Sequence, residues 1–145
     1  MAKIAQKLVV IEKALASLKR SVFLYEKVKT SILPGNEENL LMARDSMIQR
    51  FEYCTDLLWK VLKLYMEEIE KVNLEIVSPR GVIREVVKSK LLSEVEGVLC
   101  MKMVVSRNQT SHIYHEGTAA AIAQDVPDYS QLMNTIIVRV AQKVV

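Results

Sequence analysis

The sequence predicts an all-α protein, an up-and-down four-helix bundle with one or two additional short helices. Apolar residues recur every three or four positions through most of the chain, which is the period of an amphipathic helix. Glycine and proline, the main turn-forming residues, number only four and three, which favours few and long elements. Half of the 145 residues are apolar and 26% are charged, as in folded globular chains. We expect residues 1–145 to form a single helical domain.

The first two predicted helices are the longest. The first is defined by seven apolar residues spaced alternately by four and three positions: Ile4, Leu8, Ile11, Leu15, Leu18, Val22 and Tyr25. Leu-Pro-Gly-Asn at positions 33–36 ends this helix, and Asn36 is the expected N-cap of the second. An apolar stripe from Met47 to Val72 marks the second helix, and its width predicts contacts with two or more neighbouring helices.

Two shorter helices follow. Ser78-Pro79 places proline at a first helical position and predicts a third helix from Pro79 to about Leu91. Ser93 and Glu96 have the spacing of a capping box, so a fourth helix begins there. The residues of this helix expected in the core are Val95, Leu99, Met103 and Val104.

The end of the chain is predicted to contain one interruption. Helical periodicity resumes near Ile113, after a polar stretch. Val126-Pro127 is expected to break the helix again, because proline cannot donate the backbone hydrogen bond of a helix interior. The last helix is therefore predicted from Asp128 to about Lys143.

Charge, cysteine content and the N-terminal sequence exclude some classes of protein and leave others open. The formal net charge of +3 neither indicates nor excludes nucleic acid as a partner. Cys54 and Cys100 are far apart and lack a Cys-x-x-Cys arrangement, so we expect two reduced thiols in the core. The N-terminus has no continuous apolar segment typical of a signal peptide, and no apolar run suits a membrane span. The expected compartment is the cytoplasm.

The stretch from Ser106 to Ser111 is six polar residues in a row and is followed at once by His112, Tyr114 and His115. A solvated turn is the simplest interpretation. However, both histidines of the chain fall here, and arginine presents a fixed charged fork to phosphate oxygens. Histidine exchanges protons near neutral pH, which favours general acid–base chemistry. Any chemistry of the chain is therefore predicted between Arg107 and Tyr114.

The spacing of Arg107 and His112 sets a condition on such a site. Five residues rotate a side chain by about 140° around an ideal helix. The two side chains converge only if the backbone bends between them, or if a second copy of the chain completes the site. Thr110 or Ser111 as an N-cap would supply the bend.

The string Arg107-x4-His112-x-Tyr114 resembles the R-x4-H-x-Y motif of the HEPN superfamily, and more narrowly the HepT-like toxins called nucleotidyltransferase substrate-binding proteins. Three further blocks are similar to that family, in the same order along the chain. They are RDSMIQRFEY at positions 44–53, LWKVLK at 58–63 and SPRGVIRE at 78–85. The resemblance covers nearly the whole chain and implies the HEPN fold.

The resemblance implies a metal-independent endoribonuclease toxin that acts on RNA, with transfer RNA as a family-level guess. Arg107 would bind phosphate and His112 would be catalytic, while Asn108 and Ser111 would bind and support the substrate. Tyr114 would accept AMP from a separate nucleotidyltransferase antitoxin. Relatives often carry an acidic residue before the arginine, where this chain has Ser106.

Dimerisation would bring two Arg/His pairs to one cleft, so we expect a homodimer. No cofactor, metal or membrane partner is expected. His112-x-x-His115 could form half of a metal site, but no cysteine or further histidine can join it. The chain has no phosphate-binding glycine loop and no Gly-Ser followed by Asp-x-Asp, so an AMP-transferring enzyme would be a separate polypeptide. Two alternatives remain, namely a non-catalytic substrate- or nucleotide-binding subunit of that nucleotidyltransferase, and a plain helical dimerisation module.

Overall fold

The structure, a computed structural model, describes residues 2–31 and 33–144. Its five α-helices are α1 (Ala2–Lys29), α2 (Asn36–Leu64), α3 (Pro79–Lys88), α4 (Glu94–Gln109) and α5 (Glu116–Val144). A π-helical turn, Tyr65–Ile69, extends α2, and a 3₁₀ turn, Thr110–His112, follows α4. Helices α1, α2, α4 and α5 form the bundle and α3 is the short addition, so the predicted fold class is confirmed.

Helices α1 and α2 form the most extensively packed pair of the bundle. Gly35, with a φ of 76°, reverses the chain before α2, a conformation that glycine adopts without strain. Asn36 is the first residue of α2 and not its N-cap, which corrects the prediction. Its side-chain amide instead donates to the carbonyl oxygen of Val28 at 2.8 Å and fastens the start of α2 to the end of α1.

The core is a continuous cluster to which all five helices contribute. The apolar stripe of α1 is buried from Ile4 to Leu18. The buried stripe of α2 begins at Met47 and continues into the π-helical turn as far as Met66. Phe51 of α2 stacks on Tyr129 of α5 with ring centroids 5.6 Å apart. This stack joins the middle of α2 to the middle of α5, beside the end of α4.

Helix α3 begins as predicted and ends earlier. Ser78 caps it by accepting a hydrogen bond from the backbone N–H of Gly81, and proline occupies the first helical position. The helix ends at Lys88 and not near Leu91, because Lys90 adopts a positive φ of 68° that no helix interior allows.

Helix α4 begins with the predicted capping box of Ser93 and Glu96. Its core face differs from the prediction: Met103 and Val104 are buried, but Val95 is 72% exposed and Leu99 is 40% exposed. The reason is the close approach of α3 to Gly97, where a Cβ atom would meet Val87 Cγ2 at 2.5 Å. Gly97 therefore faces inward with Cys100, which turns the Val95 and Leu99 side of the helix outward.

Helix α5 is one continuous helix of 29 residues with Pro127 inside it. The prediction of a break at Val126-Pro127 and of a last helix from Asp128 is therefore wrong. Proline removes one hydrogen bond to the carbonyl four residues earlier, which here belongs to Ala123. Buried residues on both sides, including Ile122, Val126 and Met133, fasten the two halves to the core and outweigh that loss.

Both cysteines are free and buried, as predicted for core thiols. Burial raises the pKa of the Cys54 and Cys100 thiols to about 12. Across the described residues, none of the helices combines the length and apolar character needed to cross a membrane.

Candidate functional site

The polar stretch Ser106–Ser111 and the residues after it connect α4 to α5. Helix α4 continues through Gln109, and from Thr110 the backbone tightens into the 3₁₀ turn. A short connection then leads to Glu116, where α5 begins. This turn lies at the end of the bundle that also carries the α1–α2 connection, because Glu116 contacts Arg44 near the start of α2.

The bend between Arg107 and His112 has a different origin from the one predicted. Neither Thr110 nor Ser111 caps a helix start, because α5 begins beyond Ile113. The bend comes from the change of α to 3₁₀ geometry, which has fewer residues per turn.

The guanidinium of Arg107 is held by two carboxylates of α2. Its Nε and Nη2 donate to the two oxygens of Asp56 at 2.8 and 3.0 Å, and Nη2 lies 3.6 Å from Oε1 of Glu52. The hydrogen bond to Asp56 raises the pKa of Arg107, although partial burial opposes the effect. A bidentate pair of this kind fixes the plane of the guanidinium.

Thr110 joins the same network from the 3₁₀ turn. Its Oγ1 accepts a hydrogen bond from Arg107 Nη1 at 3.1 Å. The hydroxyl proton is shared between two acceptors, Glu52 Oε2 and the carbonyl oxygen of Arg107, each 2.7 Å away. Because Thr110 is buried, these contacts fasten the turn to the middle of α2.

His112, Tyr114 and His115 lie on the outside of the turn. Nδ1 of His112 is 3.4 Å from the hydroxyl oxygen of Tyr114, and the two rings meet edge to face. The Tyr114 ring also packs against His115, with centroids 4.4 Å apart. Tyr114 is 74% exposed and His112 is exposed, so solvent and large partners can reach both side chains.

The remaining predicted residues occupy the rim of the turn. Asn108 and Ser111 are exposed, and the Ser111 hydroxyl donates to the carbonyl oxygen of Asn108 at 3.3 Å. Ser106 lies 3.3 Å from the hydroxyl oxygen of Tyr129, with either group able to donate. At the position where relatives often carry an acidic residue, this chain thus has a serine hydroxyl that contacts Tyr129 of α5.

Arg107 and His112, the two predicted catalytic residues, therefore make separate sets of contacts. The contacts of Arg107 run inward to α2, whereas the contact of His112 runs outward to Tyr114. Sequence reasoning missed Glu52 and Asp56. Two carboxylates one helical turn apart repel each other, which indicates a cation between them, but nothing local identifies Arg107 as that cation.

A shallow groove along α4 is lined by apolar side chains and by two basic ones. Its volume is about 430 Å³, and its walls include Val98, Met101 and Val105 of α4. The basic residues at its rim are Arg80 and Lys102. The groove continues the exposed apolar side of α4 up to Ser106, directly before Arg107.

Within residues 2–31 and 33–144, no three His, Cys, Asp or Glu side chains form a group that could hold a metal ion.

Comparisons with solved structures find the same fold. The chain is similar to a protein from Thermus thermophilus, with 39% sequence identity and a TM-score of 0.75, over 90% of this chain and 98% of the other. It is also similar to a chain from a crystal structure of a mutant of the toxin-antitoxin MntA-HpeT, with 14% identity and a TM-score of 0.68. That alignment covers 92% of this chain and 98% of the other.

Comparison with curated proteins finds no match. The model of the family described as "Nucleotidyltransferase substrate binding protein like", in contrast, matches residues 6–142. This range includes the whole of α2, α3 and α4 and the Arg107–Tyr114 stretch. This extent agrees with the resemblance seen along the sequence. The chain belongs to the nucleotidyltransferase substrate binding protein like family.

Proposed function

We propose that the chain is a metal-independent endoribonuclease toxin whose antitoxin is a separate nucleotidyltransferase. The observation that carries the proposal is the exposed His112–Tyr114 pair, on the turn directly after an arginine with a fixed guanidinium. The family description, and the likeness to a chain of a toxin-antitoxin, support a nucleotidyltransferase partner.

The chemistry needs Arg107 at the end of α4, His112 of the turn and the 2′-hydroxyl of the RNA itself. The 2′-oxygen of one nucleotide attacks the adjacent phosphorus, and the bond from phosphorus to the 5′-oxygen of the next nucleotide breaks. The products are a 2′,3′-cyclic phosphate and a 5′-hydroxyl. His112 of one copy accepts the proton of the 2′-hydroxyl, and the protonated His112 of a second copy donates a proton to the departing 5′-oxygen. Arg107 stabilises the additional negative charge on the phosphorane. Asn108 and Ser111, on the exposed rim, support the RNA backbone.

Asp56 acts as a positioning residue in this proposal. It fixes the guanidinium plane through two hydrogen bonds, and Thr110 ties the turn that carries His112 to the same guanidinium. Two carboxylates facing one arginine leave a formal charge of −1, so a phosphate reaches Arg107 only after Glu52 moves away. The movement breaks the 2.7 Å hydrogen bond from Thr110 to Glu52, after which the Thr110 hydroxyl donates to the carbonyl oxygen of Arg107 alone. The 39% exposure of the Glu52 side chain lets it move into solvent.

A homodimer would supply a second histidine. The exposed apolar side of α4 is formed by Val95, Val98, Leu99 and Val105. Large apolar side chains that share one helix face favour association with another surface. A twofold packing centred near Val105, two residues before Arg107, would bring two Arg107–His112 segments together, so we assign this face to a second copy of the chain.

Addition of AMP to Tyr114 would inactivate the site. The Tyr114 hydroxyl is exposed and lies 3.4 Å from His112 Nδ1, so an attached phosphate and nucleoside would cover the imidazole. The added negative charge would also repel an RNA backbone. The Tyr114 oxygen attacks the α-phosphorus of ATP, its proton passes to solvent and pyrophosphate leaves. Incubation with the nucleotidyltransferase and ATP labelled on the α-phosphate should therefore label the chain but not Tyr114→Phe; equal labelling of both would exclude Tyr114 as acceptor.

The test of the proposed activity is RNA cleavage in EDTA by AMP-free protein, checked by mass spectrometry. His112→Ala is the test variant, and His115→Ala is its control because it removes a neighbouring exposed histidine. We expect His112→Ala to lose about 10²-fold or more of the rate and His115→Ala to keep most of it. Equal rates for His112→Ala and the unaltered chain would contradict the assignment.

A non-catalytic binding subunit is the second candidate function, and the pairing of Arg107 favours it. An arginine already neutralised by Asp56 and Glu52 is typical of a structural ion pair. In that case the turn presents Tyr114 or a nucleotide to the partner enzyme. Absence of cleavage by AMP-free protein, together with partner binding that Tyr114→Ala weakens, would support this alternative.

A further inference from the structure

Arg44 of α2 is a buried arginine whose nearest partner is an exposed glutamate. Its side chain is only 9% exposed, and Nη1 donates to Oε1 of Glu116 at 2.6 Å. Nε lies 3.5 Å from Oδ1 of Asp45, a longer contact to a half-exposed carboxylate. The Glu116 side chain is 73% exposed, so it covers the guanidinium from the solvent side and can leave without disturbing the core.

A cavity of about 320 Å³ opens beside this ion pair. It lies between the end of α1 and the starts of α2 and α5. Its walls combine an aromatic ring from Tyr25, an ammonium group from Lys29, an apolar side chain from Leu41 and an amide from Gln124. None of these residues belongs to the Arg107–Tyr114 stretch.

The charges around the cavity favour an anion. Arg44 and Lys29 contribute two positive charges, and Glu116 and Asp45, both in contact with Arg44, contribute two negative charges, a formal sum of zero. When the Glu116 carboxylate moves away, the sum becomes +1 and the buried guanidinium keeps only the longer 3.5 Å contact with the half-exposed Asp45, which favours another anion on Nη1. A phosphate group suits this position, since arginine binds it through two parallel hydrogen bonds and lysine adds a mobile positive charge.

We propose that this cavity binds a nucleoside monophosphate, with the phosphate replacing the Glu116 carboxylate on Arg44. The nucleoside packs against Leu41 and Tyr25. Lys29 Nζ lies over the Tyr25 ring, 6.0 Å from its centroid, and leaves the ring to pair with the phosphate when the base packs there. The Gln124 amide can both donate to and accept from a base edge. The site goes beyond the proposed ribonuclease activity, because it uses neither Arg107 nor His112.

The first experiment is isothermal titration calorimetry of the unmodified protein with AMP and GMP at constant ionic strength. Adenosine and inorganic phosphate are the comparison ligands, since each lacks one half of the nucleotide. We expect at least one nucleotide to bind about tenfold more tightly than either comparison ligand. No nucleotide binding at millimolar concentration would overturn the proposal, and so would equal binding of adenosine or of phosphate.

Variants locate the ligand. Glu116→Gln removes the competing carboxylate and should tighten binding several-fold, about threefold to tenfold. Lys29→Ala should weaken binding, whereas Lys27→Ala, an exposed lysine outside the cavity on the same helix, should not. Arg44→Gln should weaken binding about tenfold or more. If circular dichroism shows that Arg44→Gln unfolds, the Lys29, Lys27 and Glu116 variants decide.

His112→Ala separates this site from the proposed ribonuclease site. Nucleotide binding should be unchanged in this variant, even where RNA cleavage is lost. Loss of binding in His112→Ala would move the nucleotide to the α4–α5 turn and overturn the assignment to the Arg44 cavity. Equal affinities of Lys29→Ala and Lys27→Ala would overturn it as well.

Discussion

Arg107 and Asp56 lie 51 residues apart in sequence and meet through two hydrogen bonds of 2.8 and 3.0 Å. The contact fastens the end of α4 to the middle of α2, beside the stack of Phe51 on Tyr129. The same guanidinium reaches Thr110, so one arginine connects the core of the bundle to the turn that carries His112.

Replacement of Asp56 by asparagine should destabilise the protein slightly. The amide of the variant cannot accept both hydrogen bonds as the carboxylate does, and Arg107 loses the closer of its two counter-charges. Because both side chains are partly exposed, we expect a loss of about 1 kcal/mol in the free energy of unfolding. Urea denaturation should show this loss, together with a smaller effect at high salt. Asp125→Asn, an exposed aspartate on α5, is the control and should change little.

Replacement of Thr110 by valine tests the buried hydroxyl. Valine keeps the shape of the side chain but removes the hydrogen bonds to Glu52 and Arg107. We expect destabilisation by about 1 kcal/mol, because two partly buried charged partners each lose a hydrogen bond. The matched control is Thr135→Val, whose hydroxyl is exposed and should matter by less than about 0.5 kcal/mol. Equal thermal unfolding of the two variants would contradict the role of Thr110.

The pair of Glu96 and Arg139 predicts a dependence of stability on pH. The Arg139 guanidinium donates to both carboxylate oxygens, at 2.7 and 2.8 Å, and lowers the pKa of Glu96 to about 2, with help from the backbone N–H of Ser93. A carboxylate with a lowered pKa stabilises the folded state above its ordinary pKa of 4.5, and this contribution disappears as the pH falls towards 2.

Glu96→Gln should therefore lower the free energy of unfolding at pH 7, by about 1–2 kcal/mol after allowance for solvent screening. The difference from the unaltered chain should shrink between pH 4.5 and pH 2. Glu94→Gln, an exposed residue in the same first turn, should show no comparable loss. A difference that stays constant across this pH range would show that Glu96 acts through packing and not through its charge.

The two thiols should react only when the protein opens. Cys54 and Cys100 are buried, and burial raises the pKa of each to about 12, so few thiolates exist at pH 8. A chromogenic disulfide reagent should titrate two thiols in denaturant and neither within minutes in the native protein. Rapid reaction of one thiol without denaturant would show that the surrounding helices separate locally.

Much of the fold could be predicted because it follows local rules. The stripe from Ile4 to Leu18, the proline at the start of α3 and the capping box at Ser93 all act within a few residues. Several of the wrong predictions concern residues whose environment is set by distant parts of the chain. Apolar spacing alone does not determine which side of α4 faces inward, since the contact of Val87 with Gly97 decides it.

The candidate site could likewise be predicted only where it is formed by residues that are neighbours in the sequence. The turn that carries Arg107, His112 and Tyr114 is a continuous stretch of sequence, so its composition marks it. Asp56 and Glu52 belong to α2, and only the packing of α4 against α2 brings them to Arg107. Local spacing also could not reveal that 3₁₀ geometry, and not an N-cap, bends the chain at Thr110.

Pro127 makes the two halves of α5 differ in how readily their backbone hydrogen bonds open. The helix lacks one rung of its hydrogen-bond ladder at the carbonyl of Ala123, so local opening that starts at the Glu116 end meets a natural stopping point there. Ala119 and Ile122 hold the segment before the proline to the core, so we expect it to open rarely, but without opening of the segment after it. Motion of the candidate site is thereby separated from global unfolding of the bundle.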